Sequence, residues 1–493
     1  MALAALIAGL VAFVMVLRVL AAERHALQVI KVAQDAMGVI TDPDLSDDIK
    51  EKSIQRASLS LMKTFFILLA IGVAACVAAA LFVLAGDALD LFTTDQVMAI
   101  ATSWSFILWS SLGAIILWVL SGKLKKRSPQ ADTETAEDAA AAREEVPYSA
   151  IDKALHNYAF SSPSRQIALS SFEDKLWKGT LAETQVGRPV FVTSLPRAGT
   201  TILLELLARQ EEFASASYRN MPFTMSPLLW GRFSSMFRKK GEKSERAHGD
   251  GIAVDFDSPE AFEEMVWMAF WGEHYTDKSI ELWGAEDRNP EFEEFLSRHM
   301  RKIVASVPGS QRYVSKNNAN IARLPLLDAA FPEAQIVIPV RDPASQISSL
   351  MRQHQRFADL HSRDRFARQY MEGIGHFEFG AALRPIAFPG APQGAEGAER
   401  ADYWLRYWIA AYEHVLSTAP VASVFVDHAA LSRDPEAQLP MLAEVLGVEH
   451  REAFNAASEM FRAPGVSPEL PNASPDLVQR ANDLYAQLQE RAL

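Results

Sequence analysis

The chain has one cysteine, Cys76, among 493 residues. Neither a disulfide framework nor a cysteine-rich zinc site can therefore form within one chain, which suits a reducing compartment. Positive charge is in deficit, with 48 Lys and Arg against 61 Asp and Glu and a formal net charge of −13. That balance argues against nucleic-acid binding but leaves room for a local basic pocket. Charge of either sign is missing from three stretches, 1–17, 64–86 and 97–122. Apolar runs of this kind suit helices that cross a membrane. The first run also lacks the basic start and small-residue cleavage site of a signal peptide, so it is expected to be a retained helix.

With 49% hydrophobic and 22% charged residues, the remainder can bury a core. Lys50, Lys52, Arg56 and Lys63 precede the second run, and Lys123, Lys125, Lys126 and Arg127 follow the third. The short loop between them carries Asp87, Asp90 and Asp95 instead. Basic flanks mark the cytoplasmic side, which puts the C-terminal region there as well. Trp104, Trp109 and Trp118 fit either interface anchoring or packing. Residues 128–147 shift to Ala, Thr, Asp and Glu, the composition of a tether. The expected organisation is a membrane anchor over 1–127 with three spans, a linker over 128–147 and a soluble domain over 148–493.

Two strand-to-helix units carry the chemistry. The apolar run 188–195 leads into Pro196, Arg197, Ala198, Gly199, Thr200 and Thr201, after which Leu203, Leu204, Leu206 and Leu207 follow at helical spacing. A tight glycine turn opening a helix aims several backbone N–H groups at one spot, where phosphate is favoured. Arg197 can neutralise an anionic oxygen, Gly199 permits close approach, and the Thr200 and Thr201 hydroxyls can donate. In the second unit, the buried strand 334–340 runs into Arg341, Asp342 and Pro343, and Ser349 follows Arg341 by eight residues. About two helical turns let this arginine and serine meet on one anion. Pro339 within that run predicts an irregular strand end.

The string 195–201 resembles the Pro-Arg-Ser-Gly-Thr-Thr loop with which sulfotransferases hold the 5′-phosphosulfate of 3′-phosphoadenosine-5′-phosphosulfate (PAPS). Ala198 replaces the usual serine, which removes one side-chain donor. Arg341 and Ser349 resemble the pair that binds the 3′-phosphate in that family. Between them, Lys316-Asn317 and Phe331-Pro332-Glu333-Ala334 resemble its Lys-Asn pair and Phe-Pro-Asp-Ala turn, so the likeness spans about 150 residues. The resemblance implies a three-layer, P-loop-like α/β domain with a central parallel sheet, PAPS as co-substrate and no metal. It also implies sulfuryl transfer to a hydroxyl or amine, with Arg197 and Lys316 stabilising the transferring oxygens. The acceptor would be a glycan, a lipid or a small molecule, membrane-associated if the anchor is a guide.

The general base is less well marked. The stretch 246–264 resembles the Asp and Pro-x-x-x-Glu region of bacterial members, which nominates Asp250 and Glu263. His248 is a third option, since an ordinary imidazole titrates near neutrality. Ser258 reads as an N-cap with Pro259 at the first helical position, and acidic residues there also favour the helix dipole without any catalytic task. His354, His361 and His376 are too scattered for a metal site and read as core or solvated. Residues 388–394 are expected to cover the acceptor, 421–426 to form another strand, and Tyr403, Trp404, Tyr407, Trp408 and Tyr412 to mark a buried helical face. Two rival functions stay open: a P-loop kinase or NTPase, although no Gly-x-x-x-x-Gly-Lys string is present, and an inactive membrane scaffold with this fold.

Overall fold

The computed structural model describes residues 1–22, 25, 47–89, 91–103, 106, 110, 113, 150–234, 244–245, 253–254, 258–463 and 465–493. The chain divides into two compact units, Met1–Arg143 and Glu144–Leu493.

In the first unit, α1 (Ala2–Val19) and α2 (Asp47–Ala88) pack together, and α3 (Thr94–Ala101) joins them. The stretches Ala2–Val19 and Met62–Ala88 are long and apolar enough to cross a membrane by length and composition. A Cβ added at Gly9 would lie 2.9 Å from the backbone oxygen of Ala79. Small residues at a crossing let helix backbones approach in this way. Leu3, Ile7, Val11, Phe65, Phe66 and Leu69 point outward and are exposed, as a lipid-facing surface requires. Most of the expected third span, including Trp104, Trp109 and Trp118, and the tether 128–147 lie outside the described residues.

The second unit is built on five parallel strands in the order β2-β5-β1-β6-β7: β1 (Val190–Val192), β2 (Phe213–Ala214), β5 (Arg312–Lys316), β6 (Gln335–Val340) and β7 (Val424–Asp427). A separate two-stranded pair, β3 (Ser244–Glu245) and β4 (Ala253–Val254), is antiparallel. The main strands are apolar on both faces, as a sheet covered by helices on each side demands. Val190, Val192, Val314, Val337 and Val424 meet Leu203, Leu207, Leu439 and Leu442 from α4 (Thr200–Ala208) and α5 (Pro435–Leu446). The alternate residues Phe191, Tyr313, Ile336, Ile338 and Phe425 share the other layer with Leu296, Ile347, Trp404, Trp408 and Leu484. These last come from α6 (Pro290–Ser306), α7 (Pro343–Arg363), α8 (Ala401–Thr418) and α9 (Pro475–Glu490). Tyr403, Trp404, Tyr407, Trp408 and Tyr412 are all buried, as their spacing predicted.

Two expectations need correction. β6 is regular through Pro339, which pairs with Val426 of β7. Val337 directs its carbonyl to the Thr193 N–H on the β1 side, and Pro339, two residues on, faces the same way. β1 has ended there, so no ladder partner is lost, and the Ser194 hydroxyl donates to the Pro339 carbonyl at 2.7 Å. Ser258 does not cap a helix either. The chain at 258–260 docks against 216–218, with the Glu260 N–H on the Ala216 carbonyl at 2.9 Å, and the helix Glu264–Phe270 starts later.

Candidate functional site

The C-terminal ends of four adjacent strands, β5, β1, β6 and β7, open on one edge, and the sheet order reverses beside β1. Open parallel sheets bind ligands at such a switch point. β1 delivers the turn 196–199. Arg197 has φ 70 and Gly199 φ 100, and Gly199 is the N-cap of α4. A Cβ at Gly199 would lie 2.5 Å from Cδ2 of His428, the residue after β7, so this turn needs both the left-handed backbone and the missing side chain. Ala198 and Thr200 are buried and Thr201 is half-buried. The Gln346 amide of α7 holds the turn from behind, donating to the Pro196 and Leu195 carbonyls at 2.9 and 3.3 Å, while the Trp408 indole donates to Gln346 Oε1 at 2.9 Å.

The second expected unit reaches the same place. Arg341, just past β6, donates from Nη1 to the Arg197 carbonyl at 2.8 Å. Arg197 Nε donates to the Ser349 hydroxyl on α7 at 3.0 Å. Burial, and next the Arg197 guanidinium, pull Arg341 below the ordinary arginine value. Two guanidiniums held side by side at a helix N-terminus make an environment that an anion would relieve. His428 stands beside them; burial, then Arg341, hold its imidazole down at about 4, so it is neutral near pH 7.

From β5 come Lys316, at the strand's last position, and then Asn317 and Asn318. The Thr200 hydroxyl donates to Asn318 Oδ1 at 3.3 Å, and Asn318 Nδ2 donates to Glu378 Oε1 at 3.1 Å. A narrow cleft opens here, lined by Pro196, Lys316, Asn318, Glu264, Glu378 and Arg384 with apolar walls that include Ile280, Trp404 and Tyr407. It is bordered by 375–386, so the expected cover over 388–394 is displaced: Phe388 is buried against Tyr407 and His414. His354 and His361 of α7 accept at Nδ1 from the N–H groups of Gly380 and Ala381, each at 3.2 Å, which fixes that border.

Glu263, expected as a candidate base, sits elsewhere. Its carboxylate accepts from Tyr313 and Ser315 on one oxygen, at 3.0 and 2.6 Å, and from Trp267 and Asn320 on the other, at 3.2 and 2.9 Å. Four donors fill its lone pairs, so it ties β5 to the helix layer and has no room for an acceptor's proton. Glu264 faces the cleft but is equally occupied, taking Tyr275 at 2.5 Å, Asn317 at 2.7 Å and the buried Arg323 at 2.9 Å. His248 and Asp250 lie outside the described residues.

Residues 189–379 match the model of the sulfotransferase family. Over that segment the chain is similar to the sulfotransferase family. Among solved structures, a sulfotransferase from Mycobacterium tuberculosis is 16% identical, with 65% of this chain and 81% of that one covered at a TM-score of 0.38. One from Mycobacterium avium is 16% identical over 74% and 98% at 0.39, and one from Alicyclobacillus acidocaldarius is 13% identical over 62% and 94% at 0.31. No curated protein matches the chain. The matched segment spans both phosphate-type turns, Lys316, Asn318 and Glu378. Asn318, Glu378, Gln346 and His428 were missed by motif reading. A strand-end rule applied to 424–427 would have found His428, since the next residue must face the switch point.

Proposed function

We propose that this chain is a sulfotransferase, taking its sulfuryl group from PAPS and placing it on a hydroxyl or amine. The observation that carries the reading is the Arg341–Arg197–Ser349 contact, which joins the two anion-type turns into one patch. In this reading the turn 197–201 holds the 5′-phosphosulfate, while Arg341 and Ser349 hold the 3′-phosphate. Lys316, beside the turn at the end of β5, neutralises charge on the transferring and leaving oxygens. Sulfuryl transfer of this kind is mostly in-line placement with charge stabilisation, so rigid cations and N–H groups supply most of what the chemistry needs. The two apolar helices support attachment to a membrane; the Lys and Arg flanks favour the catalytic unit on the cytoplasmic side, and the acceptor in this reading is a membrane-associated glycan or lipid.

The test is thermal stabilisation of the full chain in detergent by adenosine 3′,5′-bisphosphate. At 100 times its Kd a ligand stabilises by about 2.7 kcal/mol. Arg197→Ala and Arg341→Ala should each shrink the shift. An undiminished shift in both variants, or a shift obtained equally with ATP, would refute the reading.

A further inference from the structure

We infer that Glu378 is the general base that takes the acceptor's proton; this rests on the donor reading above. The cleft presents two carboxylates among the described residues, Glu264 and Glu378. Glu264 is excluded by its four hydrogen bonds, two of them from the buried Arg323, which occupy both carboxylate oxygens. Glu378 accepts a single side-chain hydrogen bond, from Asn318 to Oε1. Its other oxygen has no protein donor among the described residues, so a lone pair is available where an acceptor hydroxyl would enter.

Its position relative to the donor is fixed by a short relay. Thr200 at the start of α4, Asn318 after β5 and Glu378 form one chain of two hydrogen bonds, 3.3 and 3.1 Å long. Asn318 spends its carbonyl oxygen on the phosphosulfate turn and its amide on the base, so it sets the base's place relative to the turn. The segment that bears Glu378 is held at both ends. Gly375, with φ 80, lies so close to Glu264 that an added Cβ would meet its Cγ at 2.4 Å, and Gly380 and Ala381 are bonded to His354 and His361. A base held by packing and hydrogen bonds keeps the geometry that proton transfer requires.

The step balances. Glu378 removes the proton from the acceptor O–H or N–H as that atom's lone pair forms a bond to sulfur. The S–O bond to the 5′-phosphate breaks, and adenosine 3′,5′-bisphosphate leaves with that electron pair. The proton then passes from Glu378 to solvent. Asn318 is a positioning residue and does not touch the reacting atoms.

The experiment uses the full chain in detergent with radiolabelled PAPS, 2-naphthol as probe acceptor and water as the background acceptor. Glu378→Gln should lower the transfer rate by about 10²- to 10⁴-fold. Its stabilisation by adenosine 3′,5′-bisphosphate should match the parent. Glu378→Asp should recover part of the rate, and Asn318→Ala should lower kcat with little change in donor affinity. A Glu378→Gln variant that transfers within a few-fold of the parent overturns the assignment. So does a parent that binds the bisphosphate yet transfers to neither 2-naphthol nor water. If the parent fails to bind the bisphosphate at all, the donor reading falls first and this inference falls with it.

Discussion

Substituting Gly199 by alanine tests the turn on which the donor site depends. The residue has φ 100, and the left-handed region costs an L-residue about 1–2 kcal/mol. The new Cβ would also lie 2.5 Å from Cδ2 of the His428 ring. Overpacking of a filled site adds about 1–3 kcal/mol, so the total loss should be about 2–5 kcal/mol. Gly309 supplies the control: its φ is 87, and nothing lies within 4 Å of a Cβ built there. Gly309→Ala should therefore lose the backbone cost alone. Removing the ring in Gly199→Ala/His428→Ala should return the double variant to about the level of Gly309→Ala, measured against His428→Ala as its own reference. Urea unfolding of the full chain in detergent, followed by near-ultraviolet circular dichroism, reads all four variants. If Gly199→Ala costs no more than Gly309→Ala, or if loss of the His428 ring restores nothing, the close approach of β7's end to the turn is wrong.

Two further outcomes concern stability. Arg323 is fully buried, lies 4.1 and 4.3 Å from the Trp267 and Trp283 ring centroids, and pairs with Glu264 at 2.9 Å. Arg323→Met strands that carboxylate and should cost about 3–5 kcal/mol in urea unfolding, whereas Arg323→Met/Glu264→Gln should recover more than half; equal losses would refute the pairing. Burial raises Glu173 from 4.5 to about 7, despite Lys302 nearby. The folded state thus holds that proton more tightly than the unfolded chain, so the stabilising contribution is full below about pH 4.5 and is lost as pH rises through about 7. His299, which burial and then Lys302 lower to about 3, acts in the opposite sense, and its contribution is lost as pH falls below its ordinary 6.5. Glu173→Gln should flatten the decline between about pH 4.5 and 7 and leave the acid side unchanged. An unaltered slope in unfolding midpoints across that window would count against it.

The layered fold was legible because its strands are short apolar runs that end in turns. The runs at 188–195 and 334–340 contain the observed strands Val190–Val192 and Gln335–Val340, and the run at 421–426 overlaps Val424–Asp427, which starts three residues later and ends one residue later. Local pattern was less informative at Pro339. Whether a proline harms a strand depends on where the neighbouring strand stops, and no short window contains that. At 258–264 a plausible cap motif lost to pairing with 216–218, because the Glu260 N–H found the Ala216 carbonyl instead of a helical partner. The turns around Arg197 and Arg341 were legible since each is built from residues close in sequence. Glu378 was not: its significance comes from Asn318, 60 residues earlier, and nothing around Phe377 and Phe379 marks it.

The paired glutamates at the start of the helix Glu264–Phe270 show why carboxylates near a motif are a poor guide to a base. Glu263 and Glu264 are adjacent, yet Glu263 takes Tyr313 and Ser315 of β5 while Glu264 takes Asn317 just beyond it. Together they fasten the strand end that carries Lys316 and Asn318. Multiply bonded carboxylates suit that task, because removing any one donor leaves a buried acceptor short of partners. The property that makes them good fasteners makes them poor bases: four donors already occupy the lone pairs that an acceptor's hydroxyl would have to reach. A base must instead be anchored on one side and open on the other. In this cleft Glu378 has that arrangement, with Asn318 bonded to one oxygen and no protein donor on the other among the described residues.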